Sequence, residues 1–358
     1  MFNEESTMTH FDPNAASPKD SGIFGLPYTV AEAKLVLIPV PWEPTTSYGG
    51  GTSLGPQFIF GASKQVDLFD MDLGNFYEQG IAMLEESPEV KQWNEIAKES
   101  AQVVIAAAGS AEENSAAVQQ ATQLVNDYSV KLNDYVYQQT KALLAQGKVV
   151  GLIGGDHSSP YGAIQAFLEK YPNMGILHFD AHADLRDAFE GFDYSHASIM
   201  HNVIEKTPLK KLVQVGIRDF CEDEFKLIKQ NDRIVTFFDN ALTEQKMADK
   251  NWSAICDEII QHLPQEVYVS FDIDGLDPRF CPHTGTPVPG GLDFLEALFL
   301  LKKVVRSGRK IIGFDLNEVS PGSAALDAVT STPDTAAEWD ANVGARLLYK
   351  LCGFALTS

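Results

Sequence analysis

Short, nearly unbroken apolar runs recur along this chain, each followed by a polar or glycine-rich turn and then by a stretch with helical periodicity. The runs at 34–40 (KLVLIPV), 148–153 (KVVGLI), 212–215, 234–237, 266–271 (EVYVSF) and 310–314, with the one that starts at Gly175 (GILHF), lack the strict apolar–polar alternation of a half-exposed strand. They predict strands buried on both faces. Helical periodicity predicts helices over 55–68, where Pro56 suits a first turn, and over 161–170, 222–229, 252–263, 294–307 and 333–351. Alternating strands and helices imply right-handed crossovers and a mostly parallel central sheet with helices on both faces, an α/β fold of three layers, α/β/α.

Two stretches depart from the alternation. Residues 1–30 are polar and rich in Pro, Ser, Asn and Asp, and read as a poorly ordered tail or an arm wrapped round an edge. Residues 87–147 are rich in Ala, Gln, Glu and Lys with a break at 108–112, which predicts a helical pair inserted into the domain and packed on its surface or on a partner subunit. The expected organisation is an arm over 1–30 and one domain over 31–358 carrying that insertion.

Charge narrows the partners. The chain has 27 Lys plus Arg against 49 Asp plus Glu, a formal net charge of −22, which argues against nucleic acid or an anionic membrane and is compatible with a cationic substrate. Cys221, Cys256, Cys281 and Cys352 are widely spaced with no CxxC pair, as in a reduced compartment. No apolar run approaches the roughly 18 residues of a membrane span, and the amino terminus lacks a basic and then apolar leader. A cytoplasmic location is expected.

The candidate chemistry sits where the strands end. Past the Gly175 strand come Asp180, His182 and Asp184, at positions that would share one face of an extended segment. The 148–153 strand ends in Gly154-Gly155-Asp156-His157-Ser158, and the 266–271 strand in Asp272-Ile273-Asp274. In a parallel α/β sheet, ligands gather beyond the carboxyl ends of strands. His157, Asp180, His182, Asp184, Asp272 and Asp274 exceed the needs of one tetrahedral ion and suit two divalent ions with bridging carboxylates. His178 is expected to face away from the metals as a structural group or one that supports a ligand, and Asp156 and Asp277 to serve turns or support ligands rather than bind metal. The glycine-rich loop at 41–52 has no GxxxxGK[ST] or GxGxxG, so a phosphate cradle is not expected. The phrase at 272–283 has neither the glycine nor the glutamate spacing of a calcium loop.

Five ordered phrases, GGDHS at 154–158, DAHADLR at 180–186, SFDIDGLDP at 270–278, TGTPVPGG at 284–291 and DLNEVSP at 315–321, resemble the ureohydrolase family of arginases and agmatinases. The resemblance spans residues 34–352. It implies an arginase-like fold holding two manganese ions bridged by hydroxide, which attacks a guanidinium carbon and releases urea. By position, His157, Asp180, Asp184 and Asp272 would hold one ion and Asp180, His182, Asp272 and Asp274 the other. His196 matches the family's proton-shuttle histidine and Glu318 the glutamate that pairs with the guanidinium.

The 186–197 segment looks more like the agmatinase pattern than the arginase one, and its acids, Glu190 and Asp193 among them, would favour a substrate with a distal ammonium over one with a carboxylate. Agmatine is the expected substrate. Free guanidine, arginine or another small guanidino compound is the alternative, with nickel the alternative metal. The resemblance also implies a homo-oligomer, a trimer or hexamer. A non-catalytic metal-binding or sensing protein on this scaffold is disfavoured by the full ligand set. A single-zinc deacylase is disfavoured because GGDHS offers no His-His dyad.

Overall fold

The computed structural model describes residues 11–18, 20–46, 48–110, 113–321 and 337–358. Eight strands, β1 (Leu35–Pro39), β2 (Ile81–Met83), β3 (Val149–Ile153), β4 (Gly175–Phe179), β5 (Lys211–Ile217), β6 (Ile234–Phe238), β7 (Glu266–Asp272) and β8 (Lys310–Asn317), form one sheet. Its order is β2-β1-β3-β8-β7-β4-β5-β6, and every pairing is parallel. The three-layer expectation therefore holds, with the sheet parallel throughout.

Alternate residues of each strand serve opposite layers, as the two-residue repeat of a strand requires. Leu35 and Leu37 of β1 and Leu177 and Phe179 of β4 pack on the side of α1 (Gly55–Ser63), α7 (Asp239–Met247), α8 (Trp252–Gln261), α9 (Phe294–Arg306) and α10 (Ala337–Thr357). Val36, Ile38 and Ile176 pack on the side of α2 (Pro88–Ala107), α3 (Ala116–Ala145), α4 (Tyr161–Lys170), α5 (Ile199–Lys206) and α6 (Glu222–Gln230). With both faces covered, a continuous apolar run is the stable strand pattern, which is why these strands do not alternate in sequence.

The 87–147 stretch folds as the two helices α2 and α3, whose apolar faces, including Leu132, Val136 and Leu143, close over the sheet. Helix α3 lies close on α4 because Gly162 has no side chain there: a Cβ would stand 2.0 Å from the Asn133 carbonyl. Within the polar amino-terminal segment, Ile23, Phe24 and Leu26 are fully buried, and the Phe24 ring meets Tyr349 of α10 edge-on at 4.9 Å. Residues 1–10, part of the expected tail, and 333–336, the expected start of the last helix, lie outside the described residues. The four cysteines are unpaired. Among the described residues no helix is long and apolar enough to cross a membrane.

The four central strands are β3, β8, β7 and β4. The segments leaving their carboxyl ends carry His157, Glu318, Asp274 and Asp180.

Candidate metal and active site

Close backbone packing brings the first ligand in. Gly155 allows the turn after β3 to lie against Trp42, whose carbonyl oxygen would be 1.9 Å from a Cβ at that position and accepts the Asp156 N–H at 2.7 Å. His157 is thereby turned inward, with Nδ1 3.0 Å from Asp180 Oδ2, 3.2 Å from Asp272 Oδ2 and 3.4 Å from Asp184 Oδ2. On the other side, His182 Nδ1 lies 3.0 Å from Asp274 Oδ2 and 3.5 Å from Asp180 Oδ1. All six residues expected as ligands converge.

Asp184 reaches the cluster by a different route from the one expected. Strand β4 stops at Phe179, and Asp184 has φ +54°, so the 180–184 segment turns rather than running extended. The Asp184 carbonyl accepts the N–H groups of Met200 and His201 at the start of α5, which offsets the strain of that left-handed backbone. His178 differs in orientation alone: its ring does not face away, but places Nε2 2.9 Å from Asp180 Oδ2, where it can support that ligand.

The electrostatics show a cluster that needs cations. Asp180, Asp184, Asp272 and Asp274 are nearly fully buried, and among the described residues no Lys or Arg pairs with them. Burial, then the neighbouring Asp180 charge, pushes Asp184 well above the usual carboxylate range, and burial with Asp274 and Asp180 does the same to Asp272. Burial opposes charging of His157 and His182, yet hydrogen bonds accepted by Asp180 and Asp272 raise the first, and Asp274 and Asp180 raise the second. Left to protons alone, these acids share the few available, whereas divalent cations would satisfy all of them. Imidazole nitrogens and carboxylate oxygens are the donor set that such ions take, so the residues fit them.

Beside the cluster, Glu318 has φ +62° and is buried. Its Oε1 accepts the His157 N–H at 2.9 Å, and its own N–H donates to Gly155 O at 2.8 Å. Its Oε2 is buried with no hydrogen-bond partner among the described residues. Burial, with Asp156 nearby, holds its pKa well above the ordinary range. His196 stands on the 195–198 turn. Thr45 Oγ1 accepts the His196 backbone N–H at 3.1 Å, stands 3.1 Å from His196 Nδ1, and donates to Asp156 Oδ2 at 3.2 Å. Burial, and then the charges of His182 and His157, push the His196 pKa down to about 4, so the ring is neutral near pH 7.

A cavity of about 140 Å³ opens over the cluster, lined by His182, Asp184 and His196 and also by Arg186, Phe189, Asp219, Glu224 and Thr286. Glu190 and Asp193 do not line it. Glu190 borders a separate pocket against α2 and α3, and the Asp193 N–H donates to Asn126 of α3 at 2.9 Å. Thr45 and Asp219 carried no motif, and Arg186 closes the 180–186 phrase without a role having been read for it. The sole sequence signal for Thr45 was its place in a long loop after the first strand.

Comparisons with known proteins bear on the family and the fold. The family model described as Arginase family matches residues 33–344. The N(1)-aminopropylagmatine ureohydrolase of Thermus thermophilus is 32% identical over 291 residues, covering 81% of this chain and 84% of that protein. A protein of the same description from Synechocystis is 29% identical, covering 90% of each chain. Among solved structures, proclavaminate amidino hydrolase from Streptomyces clavuligerus superposes with a TM-score of 0.70 at 24% identity, covering 96% of this chain and 99% of the other, a likeness of fold.

Proposed function

This chain belongs to the Arginase family, and from that premise we propose that it hydrolyses the guanidino group of a small cationic substrate to urea and an amine, using two divalent metal ions. His157, Asp180, Asp184 and Asp272 would hold one ion and Asp180, His182, Asp272 and Asp274 the other, manganese in preference to nickel. The observation that carries this reading is the convergence of four buried carboxylates, the buried His157 and the half-buried His182 within ion-sharing distance, beside a buried glutamate oxygen that has no partner among the described residues. Bound there, the ions would supply Lewis-acid activation of water near neutral pH, which the resonance-stabilised guanidinium carbon demands.

The chain's own residues do the remaining work. Glu318 can accept two parallel hydrogen bonds from the planar guanidinium, and the arriving cation draws its raised pKa back down and ionises it. Its anchored Oε1 keeps the carboxylate from following the substrate, so the guanidinium is oriented by the protein. His196 is neutral, and with Nδ1 turned to Thr45 it offers its other ring nitrogen to the cavity. There it can hold a proton for the departing amine, whose expulsion requires one.

For the substrate we take the agmatine type, supported by the descriptions of the relatives. Of the acids near the mouth, Asp219 lines the cavity and is our assignment for meeting a distal ammonium, with Glu190 and Asp193 further out. One observation favours a second reading. The Arg186 guanidinium stacks over Phe189 at 5.0 Å on the wall of a cavity of only about 140 Å³, where it would repel a distal cation and leave room for free guanidine or a short guanidino compound. Urea release from agmatine, guanidine, arginine and a guanidino acid, each with Mn²⁺ and with Ni²⁺, decides between them. Metal-loaded protein that frees urea from none of these would overturn the proposed reaction.

A further inference from the structure

A row of polar side chains crosses the sheet just below the site. Thr236 of β6, Gln214 of β5, His178 of β4, Ser270 of β7 and Asp315 of β8 are register partners in that order across five strands. The last four are fully buried. Inside a sheet covered on both faces, such groups are costly unless each is hydrogen-bonded.

Their hydrogen bonds leave a single consistent arrangement around His178. Gln214 Nε2 lies 2.8 Å from the Ala183 carbonyl oxygen, which can only accept, so the amide must present its NH₂ on that side. Gln214 Oε1 accepts from Thr236 Oγ1 at 2.8 Å, in agreement. The same NH₂ is 3.1 Å from His178 Nδ1, which must therefore be the unprotonated nitrogen. The ring proton is then on Nε2, 2.9 Å from Asp180 Oδ2. Both ring nitrogens are committed. His178 lies close enough to His157, Asp180 and Asp184 to share an ion with them, yet it has no lone pair to give one.

We propose that His178, locked by Gln214, is a positioning residue that donates a hydrogen bond to Asp180 and fixes that carboxylate for metal binding without being a ligand. The proposal rests on the two-metal reading given above. Asp180 Oδ1 accepts the His182 N–H at 2.6 Å, so once an ion displaces the proton on His157 Nδ1, 3.0 Å from Oδ2, each Asp180 oxygen takes one N–H from the protein and keeps its remaining electron pairs for cations. The other half of the row does the equivalent for His157. Ser270 Oγ donates to Asp315 Oδ1 at 2.9 Å and accepts from His157 Nε2 at 2.9 Å, which turns Nδ1 to the acids, where an ion can displace its proton.

The test is Mn²⁺ binding to the full-length, chelator-stripped protein, by calorimetry and by elemental analysis after dialysis. Wild type is expected to take up two ions per chain. In His178→Ala the stoichiometry stays at two while affinity falls by about 10- to 100-fold, and His178→Gln, whose amide can still donate toward Asp180, recovers part of the loss. Should the alanine variant not fold, Gln214→Met frees Nδ1 and is expected to weaken binding by about tenfold. Wild-type affinity in a folded His178→Ala or Gln214→Met overturns the proposal. A drop to one ion per chain without rescue by glutamine also overturns it, because His178 would then be a ligand. Wild type that binds no Mn²⁺ removes the two-metal reading and this proposal together, a pattern distinct from both.

Discussion

The backbone N–H of His157 donates to Glu318 Oε1 at 2.9 Å, so the histidine that follows β3 and the acid that follows β8 are fixed to each other by the chain itself. Two adjacent central strands thus deliver a metal donor and a guanidinium acceptor as one unit. The other Glu318 oxygen, buried without a partner among the described residues, is left for a substrate.

Glu318→Gln separates these roles. Glutamine Oε1 can keep the bond from His157, while its NH₂ replaces an acceptor with a donor that opposes a guanidinium. The expected outcome is a loss of about 100-fold or more in kcat for urea release, with bound Mn²⁺ unchanged in elemental analysis. Near wild-type turnover would show that the guanidinium is held elsewhere.

His196 makes a prediction about acid. Its pKa in the folded chain is pushed down to about 4, first by burial and then by His182 and His157, against about 6.5 in an unfolded chain. Between those values the unfolded state takes up a proton that the folded state refuses, so stability falls as pH falls through that window and the loss is complete below it. In metal-free protein the urea midpoint should drop more steeply from pH 6.5 to 4.5 for wild type than for His196→Gln. Parallel curves would count against a ring held neutral by its surroundings. In the metal-loaded enzyme the same substitution is expected to lower kcat by about 10² to 10⁴-fold.

Metal removal should matter more as pH rises. Asp184 and Asp272 have raised pKa values in the folded, metal-free chain, so their contribution is whole below the unfolded carboxylate range and is lost as pH climbs and the buried pair must ionise. His157 and His182, also raised, act in the same sense. Cations reverse that penalty. Mn²⁺ at about a hundred times its Kd is expected to add about 2.7 kcal/mol, and the gap in Tm between loaded and chelated protein should widen from pH 5 to pH 8. A gap that narrows over that range would be inconsistent with ions replacing protons among these acids.

The sequence made the central strands legible because burial on both faces demands unbroken apolar runs, and it made the ligands legible because acids and imidazoles cluster at strand ends. Strand β2 escaped notice because Ile81–Met83 is too short to make a run, and α5 and α7 because eight or nine residues barely establish a period. The position of Asp184 was reached by the wrong path: alternation in sequence suggested an extended segment, but a left-handed turn tied to α5 supplies it. The His178 orientation and the Thr45 contact depend on partners 36 and 151 residues away, Gln214 and His196. No local pattern reports such pairings, which exist only once strand register and loop packing are set.

The loop that holds Thr45 is itself held from α2. Glu43, buried to 1% exposure, pairs with Lys98 and accepts from Thr52 Oγ1 at 3.0 Å and the Ser53 N–H at 3.2 Å, while its own N–H donates to Asn94 at 2.7 Å. Asn94 and Lys98 are one helical turn apart, so a single face of α2 grips the loop. Burial alone would raise the Glu43 pKa, yet Lys98 and the hydrogen bonds from Ser53 and Thr52 together outweigh it and lower the value. The pair's contribution is therefore present above the unfolded glutamate range and lost as pH falls through the folded value. Lys98→Met leaves the carboxylate buried and unpaired, and is expected to cost about 3 kcal/mol at pH 7, read as a lower urea midpoint with an unchanged m-value. Adding Glu43→Gln should restore much of that loss, since a neutral amide can stay buried on the Thr52 hydroxyl. Bound Mn²⁺ should be the same in all three proteins, because none of the six ligands lies on α2 or this loop. A fully additive double mutant would mean that Lys98 and Glu43 act independently, and that the grip of α2 on the Thr45 loop comes from Asn94 alone.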